Sequence, residues 1–134
     1  MTRMEEARAL RDRTDKHFNC CQSILVPFRD VCSMDEETAY RLGTSFGGGV
    51  RCGSACGALT GSLMVLGLAG RDLETGEAFI RRFREKNGPV DCAGQLWGVS
   101  MADEARKPHC DGLVYEMVDY IQKLLDQRSA QQPG

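Results

Sequence analysis

The sequence lacks a marked excess of charge of either sign. Its 17 lysines and arginines are scattered among 19 aspartates and glutamates, and the formal net charge is −2. Nucleic acid and anionic membranes attract proteins whose positive charge is concentrated. We therefore expect no nucleic-acid partner and no electrostatic attachment to a membrane.

Apolar segments of the kind that direct a chain to or through a membrane are also scarce. The first residues, MTRMEEARALRDRTDK, are charged throughout and lack the apolar stretch of a secretory signal. The 19 residues from Cys52 to Gly70 carry no formal charge, but five glycines and three hydroxyl residues make them a poor membrane span. We expect a buried helix there, no membrane insertion, and a cytoplasmic, reducing location.

Several cofactor motifs are missing. The glycines from Gly47 to Gly49 follow no apolar strand and precede no Lys-Ser/Thr pair, so a phosphate-binding loop is not expected. The CxxC pair of most structural zinc sites and the CxxCH sequence of covalent haem are absent. No six-residue stretch alternates convincingly between apolar and polar side chains, so strands are not expected either.

Cysteine, in contrast, is abundant. The chain has seven cysteines, an odd number that does not suit a simple disulfide framework, and such frameworks are rare in a reducing compartment. A free cysteine is often only a small buried hydrophobe, which would account for two or three of them. The remaining cysteines are candidates for chemistry.

The spacing of apolar residues predicts an all-α fold. Residues 1–128 are expected to form a single helical domain of about five helices around a buried Gly/Cys-rich central helix, with residues 129–134 as a frayed tail. The first predicted helix covers residues 4–31 and is ended or kinked by Pro27, the second runs from the cap Ser33 or Asp35 to Phe46, and the central helix ends at Gly70. The next helix is predicted from the cap Asp72 to Lys86, with Leu73, Phe79 and Phe83 facing inward. A short helix from the cap Asp91 through Trp97 and a final helix with Cys110 at its head complete the prediction.

The start of the central helix is the first candidate for chemistry. Ser54 is the predicted N-cap, which would place Cys56 in the first helical turn. There the backbone N–H groups and the helix dipole favour a thiolate, so we predict a lowered pKa for Cys56. Gly57 and Gly61 lie four residues apart and predict a ridge on which a neighbouring backbone packs closely.

Two further cysteines occur at predicted helix starts. Cys92 follows the cap Asp91, and Cys110 precedes the apolar stripe of the final helix. Of the adjacent pair on the first helix, Cys21 falls on the apolar stripe and is predicted to belong to the core, which makes Cys20 the functional candidate.

The remaining candidates have less specific contexts. Cys32 lies between helices and is predicted to be incidental, whereas Cys52 is an auxiliary thiol or merely a small residue. Cys52 would share a helix face with Cys56 if the central helix began early. His17 and His109 lie near Cys20 and Cys110 and could act as base, ligand or plain surface residue. Trp97 is predicted to be a packing residue.

The run Cys56-Gly57-Ala58-Leu59-Thr60-Gly61 resembles the CGAxxG signature of the C_GCAxxG_C_C family of small redox-active proteins. Asn19-Cys20-Cys21-Gln22 resembles the NCAQ segment of that family, and the glycines before Cys52 resemble its glycine turn. The resemblance covers most of the chain. It implies redox activity and maps the four family cysteines onto Cys20, Cys56, Cys92 and Cys110.

Three functions stay open at this point. The four family-position cysteines could carry out thiol–disulfide exchange, as catalytic residues of a thiol-dependent oxidoreductase with an unknown redox partner. They could instead ligate an iron–sulfur cluster or another metal, since four gathered thiolates form such a ligand set. The similarity of the chain to domains found beside haem modules in split-Soret-type cytochromes implies an electron-transfer cluster. The third reading is a non-catalytic helical interaction module, and a homodimer is left open.

Overall fold

The computed structural model describes residues 1–97 and 104–131, with side chains to Gln127. The helices of this part are α1 (Arg3–Asp12), α2 (Gln22–Leu25), α3 (Glu36–Leu42), α4 (Gly57–Leu68), α5 (Leu73–Asn87), α6 (Cys92–Gln95) and α7 (Arg106–Gln131). It contains no strand, only an isolated antiparallel bridge between Ala55 and Asp91. The predicted all-α bundle is confirmed, with seven helices in the described ranges instead of about five.

The prediction of one long first helix is wrong. Helix α1 ends at Asp12, and Arg13 beyond it pairs with Asp15 at 2.7 Å. A new helical segment begins where the Asn19 N–H donates to Gln22 Oε1 and the Gln22 N–H donates to Asn19 Oδ1, both at 2.8 Å. These reciprocal bonds form a capping box, which satisfies the backbone donors of a helix start and so favours a break before residue 20. Helix α2 ends two residues before Pro27, as the missing N–H of proline predicts.

Helix α3 begins as predicted but ends earlier. The Asp35 side chain caps it by accepting from the Thr38 N–H at 2.7 Å. It ends at Leu42, because Gly43 forms the C-cap, and does not continue to Phe46.

The glycines after α3 belong to a turn with an unusual backbone conformation. From Gly48 to Arg51 every residue has a positive φ, which makes a short left-handed turn before α4.

Helix α4 lies at the centre and packs against α2, α5 and α7. The predicted glycine ridge faces the backbone around Cys21. A Cβ added to Gly57 would lie 2.9 Å from the Phe46 carbonyl oxygen, and one added to Gly61 would lie 3.1 Å from the Cys21 carbonyl oxygen. Glycine therefore permits the close approach of the two segments.

The start of α4 differs from the prediction. The helix begins at Gly57, so Cys56 occupies the cap position that was predicted for Ser54. The chain before it is not helical, because it forms the left-handed turn and then the bridge at Ala55. Cys52 and Cys56 consequently share no helix face.

Helix α5 confirms its predicted boundaries. Asp72 accepts from the Thr75 N–H at 2.9 Å, and the C-cap Gly88 has a φ of 82°. Phe79 and Phe83 are buried as predicted. The inward placement of Leu73 is wrong, since its side chain is 79% exposed at the first helical position.

The last two helices also shift relative to the prediction. Asp91 caps α6 as predicted, but this helix ends at Gln95, and Trp97 is 88% exposed, so its predicted packing role is wrong. Helix α7 begins at Arg106, because Pro108 fits the first turn of a helix, and Cys110 therefore lies one turn inside it. Its buried stripe supplies Leu113, Val114, Met117, Val118 and Ile121 to the core.

The predicted tail lies partly within α7, which continues to Gln131. Residues 132–134 of that tail lie outside the described residues. None of the helices in the described part of the chain combines the length and the apolar character needed to cross a membrane.

Candidate functional site

Four chain segments bring the family-position cysteines into one region. The Cys20 thiol, at the start of the α2 segment, forms a hydrogen bond with the sulfur of Cys110 on α7. Cys56, at the cap of α4, interacts electrostatically with the sulfurs of Cys92 and Cys110. All four side chains are free thiols; Cys56 is buried and the other three are half-buried.

A short backbone pairing holds Cys56 beside the α6 segment. The Cys56 N–H donates to the Val90 carbonyl oxygen at 2.8 Å, and the Cys92 N–H donates to the Ser54 carbonyl oxygen at 2.6 Å. Gly49 of the left-handed turn lies against this pairing, because a Cβ there would meet the Cys92 Cβ at 2.6 Å. Any larger residue at position 49 would clash with Cys92, so the turn can pack against Cys92 only because residue 49 is a glycine.

The hydrogen-bonded pair Cys20 and Cys110 has unequal acidity. The hydrogen bond from Cys20, followed by the positive charges of Arg11, Arg106 and His109, lowers the pKa of Cys110 to about 6, although burial opposes the change. The same hydrogen bond, together with burial, raises the pKa of Cys20 well above its usual value. At neutral pH the pair therefore consists of a Cys110 thiolate and a Cys20 thiol that donates to it.

Arg11 is a site residue that the sequence interpretation missed. Its side chain is only 8% exposed, and its Nε donates to Asp111 Oδ1 at 2.7 Å while a terminal nitrogen donates to the Phe18 carbonyl oxygen at 2.9 Å. These bonds hold the guanidinium beside both thiols of the pair. The spacing of Arg11 could have identified it from the sequence. Arg11 follows the buried Ala7 by four residues, so it lies on the apolar face of α1, where a cation is unusual.

The predicted lowered pKa of Cys56 is wrong. Burial raises the pKa of this thiol, and the backbone N–H groups of Leu59 and Ala58, which donate to the sulfur, offset the increase only in part. Burial likewise raises the pKa of Cys92, against the opposing charge of Arg106. The second pair of thiols is therefore protonated at neutral pH.

The other three cysteines do not line the cleft at Cys110, although Cys21 interacts electrostatically with Cys56. Cys21 is fully buried in the core, as predicted, and burial raises its pKa to about 12. Cys32 is buried beyond α2, and burial raises its pKa as well. Cys52 is exposed and directly follows the left-handed turn.

The two histidines lie at the edges of the site. His17 is exposed, and burial of part of its ring followed by the charge of Arg11 lowers its pKa, so the ring is neutral at pH 7. The His109 Nε2 lies 2.9 Å from Gln95 Oε1 and so connects α7 with α6. His109 acts on Cys110 through its charge, and its ring is hydrogen-bonded to a side chain that is not part of the thiol cluster.

A cleft of about 380 Å³ opens onto the Cys20 and Cys110 pair. Its lining consists of both thiols together with Arg11, His17, Asn19, Gly48, Arg106 and Lys107. A larger cavity of about 670 Å³ lies between the first residues of α1 and the middle of α7, but no cysteine lines it. The smaller cleft is therefore the candidate site.

The arrangement of the thiols bears on the predicted metal ligands. Among the residues that the structure describes, no three His, Cys, Asp or Glu side chains are arranged so that they could hold one metal ion. A cluster ligated by Cys20, Cys56, Cys92 and Cys110 would need these sulfurs to move from their present positions. Cys110 interacts electrostatically with each of the other three sulfurs, so the four thiols lie in one region of the protein.

Comparisons with known proteins bear on the same residues. The family model described as "Putative redox-active protein (C_GCAxxG_C_C)" matches residues 18–124, a range that contains all four of these cysteines. This match confirms the resemblance found in the sequence motifs. No curated protein and no solved structure matches the chain.

Proposed function

The chain belongs to the C_GCAxxG_C_C family, and from this premise we propose that it carries out thiol–disulfide exchange, with Cys110 as the attacking thiolate and Cys20 as the second thiol. One observation carries the proposal: Cys20 and Cys110 line the same cleft beside Arg11, and their interaction lowers the pKa of Cys110 to about 6. An attacking thiol is most effective when its pKa lies near the ambient pH, because a lower pKa also weakens the nucleophile.

The proposed step is a two-electron oxidation of the pair. The Cys110 thiolate attacks one sulfur of a disulfide RSSR, which forms a mixed disulfide and releases RS⁻. The Cys20 thiol then loses its proton and attacks the Cys110 sulfur, which forms the Cys20–Cys110 disulfide and releases the second RS⁻. The proton of Cys20 ends on one of the two released thiolates. The protein pair is oxidised, and the disulfide is reduced to one thiol and one thiolate.

Cys56 and Cys92 are proposed as a second dithiol in contact with the first pair. The electrostatic interaction of Cys56 with both Cys92 and Cys110 supports this role. Exchange between the pairs would reduce the Cys20–Cys110 disulfide and leave a Cys56–Cys92 disulfide in its place. A thiol reductant in a cytoplasmic, reducing environment, which we predict from the sequence, would then restore the starting state.

The proposal is tested by oxidising the reduced protein with bis(2-hydroxyethyl) disulfide, quenching with acid and mapping the products by mass spectrometry. The wild-type chain should form the Cys20–Cys110 disulfide. Cys20→Ser should accumulate a mixed disulfide on Cys110, because the second thiol is missing, whereas Cys110→Ser should lose the fast reaction. Cys32→Ser, which changes a buried thiol outside the site, is the matched control.

Two results would overturn the proposal. One is a fast reaction that survives in Cys110→Ser, which would place the nucleophile elsewhere. The other is near-stoichiometric iron with charge-transfer absorption in anaerobically purified protein, lost in the same variant, which would favour a cysteine-ligated cluster. Metal analysis and an absorption spectrum on the same sample therefore accompany the oxidation experiment.

A further inference from the structure

The cleft at the Cys20 and Cys110 pair continues into a second cleft of about 380 Å³. The two share the residues His17, Asn19, Gly48 and Arg106 as lining. The second cleft adds Gln22, Tyr40, Thr44, Gly47 and Arg51. A substrate that reaches Cys110 can therefore extend along a groove, here called the thiol groove, whose lining is the union of these two sets.

Apart from the Cys110 thiolate, the charged groups that line the thiol groove are positive. Arg11, Arg51, Arg106 and Lys107 line it, and none of the described residues that line it is an aspartate or glutamate. Asp111 partners both Arg11 and Lys107, but its side chain is 15% exposed and does not line the groove. In a chain whose net charge is −2, such a lining is a local concentration of positive charge.

The backbone at one wall of the groove supports a role in binding. Val50 and Arg51 have φ values of 56° and 63°, in the left-handed region that side chains other than glycine rarely adopt. Strain of this kind persists where the surrounding structure imposes it, and it is concentrated at functional sites. Here the left-handed turn carries Arg51 to the groove while Gly49 packs against Cys92.

We propose that the thiol groove binds small disulfides that carry carboxylate groups, with Arg51 as the residue that contacts a carboxylate. Guanidinium groups pair with carboxylates through two parallel hydrogen bonds, and a lining of one sign raises the local concentration of the oppositely charged substrate. The reacting sulfur would lie at Cys110 and a carboxylate toward Arg51. The inference rests on the proposed function, because it names the substrate class of the same thiol pair.

The chemical step keeps the balance given above. The dianionic disulfide gains two electrons and leaves as one carboxylate-bearing thiol and one carboxylate-bearing thiolate, and the Cys20 thiol and Cys110 thiolate lose two electrons to form their disulfide. The proton of Cys20 passes to one departing thiolate. The carboxylates take no part in the bond changes, so they affect binding and rate only through the charges of the groove.

Attraction of anions is tested without any disulfide chemistry. Iodoacetate and iodoacetamide alkylate the same thiolate but differ in charge, so the ratio of their rates at Cys110, divided by the ratio for a small free thiol, measures the charge of the groove. We expect this normalised ratio to be about 10 at low salt, at the lower end of electrostatic rate enhancements, and to fall as salt is added. A normalised ratio of one would overturn the inference even if Cys110 is a fast nucleophile.

The substrate class is tested with three disulfides of similar size: 3,3′-dithiodipropionate, bis(2-hydroxyethyl) disulfide and cystamine, which are anionic, neutral and cationic. The expected order of rates at Cys110 follows that sequence. Arg51→Gln should slow the dianion about 5-fold to 10-fold more than it slows the neutral disulfide, because only the dianion pairs with the guanidinium. Arg51→Lys should restore most of the rate.

The control variant is Arg81→Gln, which removes an exposed arginine from α5, away from the groove. Equal rates for all three disulfides would overturn the inference and leave the proposed function intact. A slow reaction of Cys110 with every disulfide, combined with a raised alkylation ratio, would overturn the proposed function while the anion-binding groove remained.

Discussion

The N-terminus of α4 and the first turns of α7 each carry a cysteine, but the pKa of the thiol is raised in the first and lowered in the second. Cys56 at the cap of α4 receives two backbone N–H groups, yet burial raises its pKa. Cys110 lies one turn inside α7, and its pKa is lowered to about 6 by a thiol and three cationic side chains. Charges and donors from other segments thus outweigh the position of a cysteine in its own helix.

The largest expected difference between the two regions is in thiol reactivity at pH 7. With a pKa of about 6, Cys110 is about 90% thiolate at pH 7, whereas burial raises the pKa of Cys56 and keeps it a thiol. Pulsed alkylation with peptide mapping should therefore show Cys110 reacting at least about 10-fold faster. The rate at Cys110 should fall as the pH drops through about 6, because the thiolate becomes protonated. If the alkylation rates of Cys110 and Cys56 had the same pH midpoint, the predicted difference in acidity between the two thiols would be wrong.

The second prediction concerns stability at α4. Gly61→Leu should destabilise the fold by about 1–3 kcal/mol or more, because its Cβ would already lie 3.1 Å from the Cys21 carbonyl oxygen. Gly57→Leu should act in the same way against the Phe46 carbonyl oxygen. Gly67→Leu on the same helix is the control, since its Cβ would meet nothing within 4 Å. Denaturant unfolding measures all three, and unchanged stability in the first two would mean that the ridge is not packed.

A smaller effect is expected at the cation beside the thiols. Arg11→Gln should move the alkylation midpoint of Cys110 from about 6 upward by roughly one pH unit, because a nearby positive charge that stabilises the thiolate is lost. Arg8→Gln on the same helix should leave the midpoint unchanged, since Arg8 stacks on the Tyr115 ring at 4.2 Å and does not act on Cys110. An equal change in both variants would indicate a general effect of net charge.

The smallest effect is expected at Cys32. This thiol is buried beyond α2 and does not interact with the Cys20 and Cys110 pair. Cys32→Ser should therefore leave the oxidation rate of the pair within about 2-fold of the wild-type value, as a substitution away from the site does. A variant that folds, by circular dichroism, but loses the reaction would extend the chemistry to this second part of the molecule.

Apolar spacing and helix caps were sufficient to predict the all-α fold. Asp35, Asp72 and Asp91 each cap a helix where the sequence placed it, because an N-cap bond involves residues only three apart. The first helix was mispredicted for a related reason. An apolar stripe continues through residues 13–21, but Asn19 and Gln22 satisfy each other's backbone donors and start a new helix there.

The acidity of the thiols could not be predicted in the same way. Whether burial outweighs two backbone donors at Cys56 depends on how many segments cover it, and that is a property of the packed bundle. The charges that act on Cys110 come from α1 and from the start of α7, and Arg11 is nearly a hundred residues away in the sequence. The family resemblance named four cysteines, and their surroundings in the folded chain distinguish Cys110, whose pKa is lowered, from the others, whose pKa values are raised.

The hydrogen bond between Cys20 and Cys110 joins residues that are 90 positions apart in the chain. A growing chain on the ribosome therefore has no activated thiol until most of it has been synthesised, and a chain that unfolds loses the activation at once. Closing so long a loop costs entropy that only the completed bundle repays. The high reactivity of this thiol near neutral pH is accordingly a property of the folded chain and can serve as a measure of how much of the population has folded.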